Sequence, residues 1–244
     1  MKQRLDRYIV ENRLTNSRSQ AENYIRLGRV TVNGEVIKKC GFIVSTVDKV
    51  VLNIPEQYVS RAGLKLASVS NNFHLNFTDK VVLDIGSSTG GFTDYALRHG
   101  ARMVYAVDVG TDQLHPSLRG NDQIKLYEKT DIRDFIPPET IDIILADVSF
   151  ISLREILPHV AKTAMNKRTL LVAMVKPQFE AGRNQTNRGV VKNNAVRRRI
   201  LSDFELWARQ YFSIIDKRDS GVSGAKGNVE RFYVLKLIKT CSKH

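Results

Sequence analysis

The sequence has little of what membrane, secreted or metal-binding proteins need. Its longest apolar runs, such as Leu170–Val175, are far shorter than the roughly 20 residues of a membrane-spanning helix. The first twelve residues mix charged and apolar side chains and contain no hydrophobic signal core. Two cysteines, Cys40 and Cys241, are far apart and form no disulfide framework or metal-ligand spacing. We therefore predict a cytoplasmic protein with reduced thiols and no metal site.

Positive charge is abundant in the chain. The 244 residues contain 38 Lys and Arg against 25 Asp and Glu, a net charge of +13. Such a field attracts polyanions and favours nucleic acid as a partner. A surplus of solubilising lysine is the alternative explanation. Hydrophobic residues make up 42% and charged residues 26%, which is typical of a globular chain with one large domain, or one of ordinary size with a small appendage.

The pattern of the chain changes near Pro55. Before it, apolar stripes predict helices over 4–12 and 17–27. Strands 29–32 and 35–37 flank an Asn33-Gly34 turn, and one more strand is expected over 47–54. We predict a small α+β domain at 1–54, a linker at 55–60 and a second domain at 61–244.

The second domain alternates short apolar runs with helical periods. The predicted strands are 81–85, 103–107, 124–127, 141–146, 170–175, 213–216 and 232–238, and the predicted helices are 91–99, 152–165 and 191–211. This order is typical of a Rossmann-like, doubly wound, mostly parallel sheet, here with seven strands. The last two strands have only Gly and Ser between them, which predicts an antiparallel hairpin at one edge.

Arginines and lysines accompany the helices and hairpin of the small domain. The strings R-L-D-R-Y-I, S-R-S-Q-A and I-R-L-G-R-V-T-V-N-G resemble the alpha-L RNA-binding motif of a small-subunit ribosomal protein, tyrosyl-tRNA synthetases and pseudouridine synthases. The candidate phosphate-binding residues are Arg4, Arg7, Arg18, Arg26, Arg29, Lys38 and Lys39. A solvated helix face is the alternative. With no aromatic cluster, the domain is expected to bind RNA by shape and phosphate.

A glycine-rich loop follows the first strand of the second domain. The candidate cofactor-binding residues in it are Asp84, Gly86, Ser87, Ser88, Thr89, Gly90, Gly91 and Phe92. Glycines let backbone approach a ligand, and the helix start offers free N–H groups. The spacing fits neither a dinucleotide fingerprint nor a phosphate-binding loop with its lysine. Asp84 at the strand end favours a cationic ligand, and S-adenosylmethionine carries an ammonium and a sulfonium group.

Acidic residues also follow the next strands. Asp108 is placed to accept ribose hydroxyls and Asp131 to meet an adenine amino group, although a helix cap is an equally good explanation for Asp131. Asp147 ends the fourth strand. Acids at successive strand ends gather at the crevice where open α/β sheets bind ligands, so we predict an S-adenosylmethionine-dependent methyltransferase.

The residues near this crevice indicate which atom is methylated. The string Asp147-Val148-Ser149-Phe150 lacks the prolines of many nitrogen-methylating enzymes, and neither cysteine lies at a strand end as a cytosine-C5 enzyme requires. The candidate catalytic residues are instead Lys65, Asp147, Lys176 and Glu230. A lysine near a second lysine, away from water, gives up its proton more readily. Lys176 is expected to orient or deprotonate a ribose 2′-hydroxyl and Lys65 to steer the ribose, with both acids orienting the lysines.

The whole chain resembles the TlyA family of ribosomal RNA 2′-O-methyltransferases, long labelled hemolysin A, in which an RNA-binding domain precedes an FtsJ-like catalytic domain. The resemblance rests on V-S-R-A-G-L-K-L, D-I-G-S-S-T-G-G-F-T-D, A-V-D-V-G-T-D-Q-L-H-P-S-L-R, A-D-V-S-F-I-S-L, V-K-P-Q-F-E-A-G and G-N-V-E-R-F. It implies that Lys65, Asp147, Lys176 and Glu230 form the catalytic tetrad, and that the first-strand loop and Asp108 hold S-adenosylmethionine.

The resemblance also implies a substrate. The family methylates cytidine 2′-hydroxyls in ribosomal RNA and is linked to capreomycin sensitivity. Its shorter members act on 23S rRNA alone and its longer ones also on 16S rRNA, and this chain resembles the shorter group. Arg61, and Arg183 and Arg188 in the polar loop 178–192, are further candidate RNA-binding residues.

Two other classes of function stay open. A membrane-active hemolysin would need an apolar span or an amphipathic cationic helix, and the sequence offers neither. A catalytically weak ribosome assembly factor is the second alternative, and the complete tetrad argues against it. We expect ribosomal RNA or ribosomal subunits as partners, without an obligate protein partner and without a membrane.

Overall fold

The protein is described by a computed structural model that covers residues 2–15, 17–26, 28–53, 58–181, 190–191, 193–224 and 227–238. The chain divides into two compact units, Met1–Gln57 and Tyr58–His244. The proposed linker at 55–60 lies partly outside the described residues.

The first unit combines two helices with two small sheets. Its elements are β1 (Lys2–Arg4), α1 (Leu5–Glu11), α2 (Arg18–Arg26), β2 (Val30–Val32), β3 (Glu35–Val36), β4 (Ile43–Ser45) and β5 (Val50–Leu52). β1 pairs with β4, and the other sheet has the order β3-β2-β5. Leu5, Ile9, Ile25 and Val30 are fully buried in a core between the helices and the sheet. The predicted helices and hairpin are present, and the β1–β4 pair was not predicted.

The second unit is built on a seven-stranded sheet. Its strands are β6 (Val81–Ile85), β7 (Met103–Val107), β8 (Ile124–Tyr127), β9 (Ile143–Ala146), β10 (Leu170–Val175), β11 (Phe212–Asp219) and β12 (Arg231–Leu237), in the order β11-β12-β10-β9-β6-β7-β8. β12 runs antiparallel to both β10 and β11, and the other pairs are parallel. The Rossmann-like sheet and its edge hairpin are therefore confirmed.

Helices cover both faces of this sheet. They are α3 (Arg61–Ser70), α4 (Gly91–Arg98), α5 (Leu153–Thr163), α6 (Pro177–Glu180) and α7 (Asn194–Ala208). Apolar side chains of α3 and α4 pack on one face, and those of α5 and α7 pack on the other. The helix expected over 191–211 starts only at Asn194, because Asn193 caps it by accepting from the N–H groups of Ala195 and Val196. α3 was not predicted.

None of the helices in the described part of the chain has the length and apolar character to cross a membrane.

Candidate active site

The register of the sheet brings three of the four candidate catalytic residues together at the carboxyl ends of the parallel strands. Ala146 of β9 lies opposite Ile85 of β6, and Asp147 follows it. Val175 of β10 lies opposite Arg231 of the antiparallel strand β12. Lys176 follows Val175 and Glu230 precedes Arg231, so Lys176 and Glu230 are adjacent. β9 and β10 are themselves paired in parallel. The fourth residue, Lys65, comes from α3.

The four side chains form two lysine–carboxylate pairs. Lys176 Nζ lies 2.6 Å from Asp147 Oδ1, and Lys65 Nζ lies 2.6 Å from Glu230 Oε2. Lys65 and Lys176 are only 11% and 10% exposed, and Glu230 is 3% exposed. Each lysine faces a carboxylate, and the crowding of one lysine by the other stays a prediction. The carboxylates thus hold each ammonium group in place, as expected for Asp147 and Glu230.

Ser149 is a second polar partner of Lys176. Lys176 Nζ donates a hydrogen bond of 2.7 Å to Ser149 Oγ. An ammonium group has three N–H donors, so the contacts with Asp147 and Ser149 leave one for a substrate. Ser149 was not predicted as a site residue. Its signal in the sequence is its position two residues after the strand-end acid.

The glycine-rich loop packs closely against the strand that carries Asp147. Gly86 has a φ of +78°, and a Cβ there would lie 2.8 Å from the carbonyl oxygen of Asp147. Gly91 packs against the start of α3, where a Cβ would lie 2.9 Å from the backbone nitrogen of Gly63. Gly90 caps α4 with a left-handed φ of +87°. Gly90 and Gly91 thus shape the loop, whereas Gly86 also lines the cavities beside it.

Two adjoining cavities occupy the crevice. The larger has a volume of about 400 Å³, and its lining includes Gly86, Ser88, Asp108, Asp131, Ile132 and Phe150. The smaller has a volume of about 140 Å³, and its lining includes Asp84, Ser87, Thr89, Phe92, Asp147 and Lys176. Gly86, Ser88, Asp147 and Ser149 line both cavities. A ligand that extends from the larger cavity into the smaller one would therefore approach Lys176.

Asp84 is buried beneath the glycine-rich loop. Its Oδ2 accepts a 2.7 Å hydrogen bond from Thr93, and its Oδ1 has no partner among the described residues. Burial raises the pKa of Asp84 to about 7, and the nearby charges of Asp147 and Asp108 act in the same direction. A cationic ligand in the smaller cavity would favour its ionised form.

Asp108 and Asp131 both line the larger cavity, and they have different hydrogen-bond partners. The carboxylate of Asp108 accepts from the backbone N–H groups of Ser88 and Gly110 at 2.8 and 2.6 Å. Asp131 caps a 3₁₀ helix by accepting from the N–H of Arg133, and pairs with the Arg133 guanidinium at 2.6 Å. These bonds lower the pKa of Asp131 to about 2. The cap, which was the alternative interpretation of Asp131, is present beside the cavity.

Two phenylalanines at the edge of the crevice were missed by the sequence interpretation. Phe150 is 92% exposed and has a left-handed φ of +67°. Its ring lies 5.3 Å from that of Phe179, and Lys176 Nζ lies 5.8 Å from the Phe179 ring centre. Strained backbone of this kind is concentrated at functional sites, so Phe150, which lines the larger cavity, is a candidate substrate contact. The sequence feature that could have identified Phe150 is its position, three residues after the strand-end acid Asp147.

The candidate RNA-binding residues of the first unit are all exposed. Two of them also stabilise the unit: Arg4 and Arg18 each place a nitrogen 2.9 Å from the buried carboxylate of Asp6. The paired guanidinium of Arg4 is the main reason that the pKa of Asp6 falls to about 2. The remaining five are Arg7, Arg26, Arg29, Lys38 and Lys39. In the second unit Arg61 is exposed and donates to the carbonyl of Ser223, while Arg183 and Arg188 lie outside the described residues.

Comparison with known proteins assigns both units to families. The FtsJ-like methyltransferase family matches residues 58–237, and the S4 domain family matches residues 3–54. The chain belongs to the FtsJ-like methyltransferases. It is 35% identical to the 23S rRNA (cytidine-2′-O)-methyltransferase TlyA of Campylobacter jejuni, over 93% of this chain and 96% of that protein. It is also 35% identical to the 16S/23S rRNA (cytidine-2′-O)-methyltransferase TlyA of Mycobacterium tuberculosis, over 96% and 89%.

A solved structure extends the similarity to the fold of the whole chain. A hemolysin-type protein of Streptococcus thermophilus matches with a TM-score of 0.72 and 36% identity, over 98% of this chain and 89% of that one. The predicted kinship with the TlyA and hemolysin A family is confirmed, and so is the prediction of an S-adenosylmethionine-dependent RNA methyltransferase at the level of the family.

Proposed function

We propose that the protein transfers a methyl group from S-adenosylmethionine to the ribose 2′-hydroxyl of a cytidine in ribosomal RNA. The observation that carries the proposal is the Lys176–Asp147 pair, which lines the same cavity as the glycine-rich loop and Asp84. It places a proton-handling group where the methyl donor of this family would end. No cysteine nucleophile lies among the residues that line the two cavities.

The cavities fit S-adenosylmethionine by size and chemistry. A volume of about 400 Å³ lies in the usual range for small-molecule sites. Asp108 and Asp131 line the space suited to the adenosine part, and Asp84 lies beside the space suited to the ammonium group, with an oxygen free to accept. When bound, the cofactor supplies an electrophilic methyl group to the substrate oxygen.

The lysine pairs prepare the substrate hydroxyl. Lys176 orients the 2′-hydroxyl through its ammonium group or, when neutral, accepts the hydroxyl proton as the oxygen attacks, and Asp147 stabilises the ammonium form. Lys65, fixed by Glu230, steers the ribose. Acid–base catalysis of this kind contributes roughly 10²- to 10⁴-fold, and alignment of the reacting groups supplies the rest.

The exposed aromatic ring gives the site a surface for a base. A ribose can reach Lys176 only if its nucleotide leaves the surrounding stack, and an unstacked base is stabilised by an aromatic face. We assign this role to Phe150, which lines the larger cavity at its exposed side.

The two units divide the work. Residues 1–54 are proposed to bind RNA, 55–60 to link the units and 61–244 to catalyse transfer. Support comes from the S4 match over residues 3–54 and from the exposed basic residues of the first unit. We infer that 23S rRNA is the substrate and that the protein works in the cytoplasm, where ribosomes are assembled. Label on 30S particles in the test below would add 16S rRNA as a second substrate.

Transfer of tritiated methyl groups tests the proposal. Purified 50S particles, 30S particles, 70S ribosomes and naked ribosomal RNA are offered separately, with Lys176→Ala as the inactive control. We expect label on the large subunit, and its absence with the variant. No label on any RNA, with cofactor binding intact, would favour the assembly-factor function.

A further inference from the structure

A buried carboxylate outside the tetrad joins the two segments that carry the catalytic lysine and the exposed aromatic ring. The Glu180 side chain is only 2% exposed. It lies at the end of α6, the short helix that starts directly after Lys176. Its Oε2 accepts a 2.6 Å hydrogen bond from Ser152 Oγ, and its Oε1 accepts a 2.8 Å bond from the backbone N–H of Leu153. Arg154 Nε lies 3.5 Å away.

The segments it joins hold every group that we place around the substrate hydroxyl except Lys65 and Glu230. Residues 147–152 carry Asp147, Ser149 and Phe150. Residues 176–180 carry Lys176 and Phe179. The ion pair, the Lys176–Ser149 bond and the Phe150–Phe179 ring contact also cross this gap. Those contacts involve groups that a substrate would engage, whereas the Glu180 side chain is buried and lines neither cavity.

Both segments need an external support. Phe150 has a left-handed φ, which is strained for a residue with a Cβ and persists only where neighbouring contacts enforce it. α6 contains four residues, too few to be stable alone. The two hydrogen bonds of Glu180 fix α6 to Ser152 and Leu153 at the start of α5, two and three residues beyond Phe150.

We propose that Glu180 is a positioning residue for methyl transfer, which holds the Lys176 and Phe150 segments at their working distance. The inference rests on the proposed function. Glu155 is exposed in the first turn of α5, where its negative charge stabilises the start of the helix. If Glu180 acted only through its charge on α5, replacing it would have the same effect as replacing Glu155. Glu155 therefore provides a matched control.

The test uses the full chain with Glu180→Ala, Glu180→Gln, Ser152→Ala and Glu155→Gln. Glutamine can still accept from the Leu153 N–H and donate to Ser152 Oγ, so it keeps the connection without the charge. For each variant we would measure kcat and KM on the methylated particle, the Kd for S-adenosylmethionine, and Tm. A 4-fluorophenylalanine placed at position 150 reports the ring's environment by ¹⁹F NMR in the same proteins.

We expect Glu180→Ala to lower kcat about tenfold or more and to broaden the fluorine signal, with cofactor Kd within about twofold, because a displacement near 1 Å can cost 10²-fold. Glu180→Gln should return kcat to within about threefold of wild type. If Glu180→Ala does not fold, Ser152→Ala should show the same losses in weaker form. Glu155→Gln should change neither kcat nor the fluorine signal.

Two results would overturn the inference. The first is a Glu180→Ala or Ser152→Ala protein with lower Tm but wild-type kcat and fluorine signal. The second is equal loss in Glu180→Gln and Glu180→Ala, which would assign the effect to charge. Absence of transfer by the wild-type protein would instead contradict the proposed function, and the fluorine signal would still test the positioning.

Discussion

Buried ion pairs are costly, and their location in this protein therefore carries information. Removing two charges from water offsets much of their attraction, so such pairs add little net stability. Here the Lys65–Glu230 and Lys176–Asp147 pairs lie at the end of the sheet where the cavities open. Their position agrees with a functional origin, since core packing does not require charges there.

Asp84 should make the stability of the catalytic unit depend on pH. Its pKa of about 7 in the folded protein is well above the ordinary value near 4, so the folded state binds the proton more tightly. Its contribution to stability is fully present below about pH 4 and is lost as the pH rises through 7, by about 1.4 kcal/mol per pH unit. Denaturant unfolding at several pH values measures this slope.

Asp84→Asn is the matched variant for this prediction, because it keeps the shape of the side chain without a titrating proton. We expect it to remove the contribution of Asp84 to the slope between pH 4 and pH 7. The affinity of the wild-type protein for S-adenosylmethionine should rise over the same interval, since the cationic ligand favours ionised Asp84. An affinity that falls with pH would contradict the placement of the ammonium group near this carboxylate.

Phe150→Leu should weaken RNA methylation without destabilising the fold. Base–aromatic stacking contributes roughly 1–3 kcal/mol, which corresponds to about a 5- to 150-fold loss in kcat/KM. Since the ring is 92% exposed, Tm should change little. Steady-state kinetics on ribosomal particles measure the loss. Phe150→Tyr keeps an aromatic face and should be nearly as active as wild type, and equal activity of the Leu variant would exclude stacking.

At the scale of elements, the contact between α3 and α4 positions Lys65. Ser60 caps α3, and Gly91 begins α4 so close to it that any Cβ would meet Ser60, Ala62 and the backbone of Gly63. Gly91→Ala should force the helices apart and lower the unfolding free energy by roughly 1–3 kcal/mol, as overpacking does.

The same variant should reduce methyl transfer more than it reduces cofactor affinity, because Lys65 moves away from Glu230. Chemical denaturation, calorimetry with S-adenosylmethionine and transfer assays measure the three quantities. A Gly91→Ala protein of wild-type stability would show that the helices are not held in this close contact.

The sequence predicts the central sheet well and the small elements poorly. The strands Val81–Ile85, Met103–Val107, Ile124–Tyr127 and Leu170–Val175 match the predicted bounds, because continuous apolar runs between turns are local signals. α3 contains Gly63, Ser68 and Ser70, which are weak helix formers, and its packing against α4 overrides that preference. The pairing of β1 with β4 joins residues about 40 positions apart, so no local pattern shows it.

In the candidate site, too, the features with a local sequence signal could be predicted and those set by tertiary contacts could not. Acids and lysines at strand ends could be predicted because the carboxyl ends of parallel strands meet at one edge. The partners of each lysine could not, since they depend on side-chain directions and on the placement of α3. Ser149, Phe150 and Glu180 lie in loops or a single helical turn, where the surrounding tertiary structure decides which residues meet.

At the scale of the whole molecule, the first unit contributes an exposed basic surface. Replacing Arg7, Arg26 and Arg29 together with glutamine should weaken binding to ribosomal RNA and lower the slope of log K against log salt by about 2 to 3, one for each lost phosphate contact. Arg4 and Arg18 are left intact because they stabilise Asp6.

A matched triple variant controls for net charge. Lys162 is exposed in the last turn of α5, and Lys167 and Arg168 are exposed just before β10, at the opposite end of that strand from Lys176. Their replacement by glutamine should leave the salt slope near the wild-type value. Equal slopes in the two triple variants would show that the first unit contributes only its general charge.

Identification of the methylated nucleoside tests the central claim most directly. Ribosomal RNA lacking the modification is treated with the protein and S-adenosylmethionine, digested to nucleosides and analysed by liquid chromatography and mass spectrometry, with Lys176→Ala in parallel. The account predicts new 2′-O-methylcytidine with the wild-type protein and none with the variant. A methyl group on the base, as in 5-methylcytidine or N4-methylcytidine, would contradict the assignment of the two lysine–carboxylate pairs to a ribose hydroxyl.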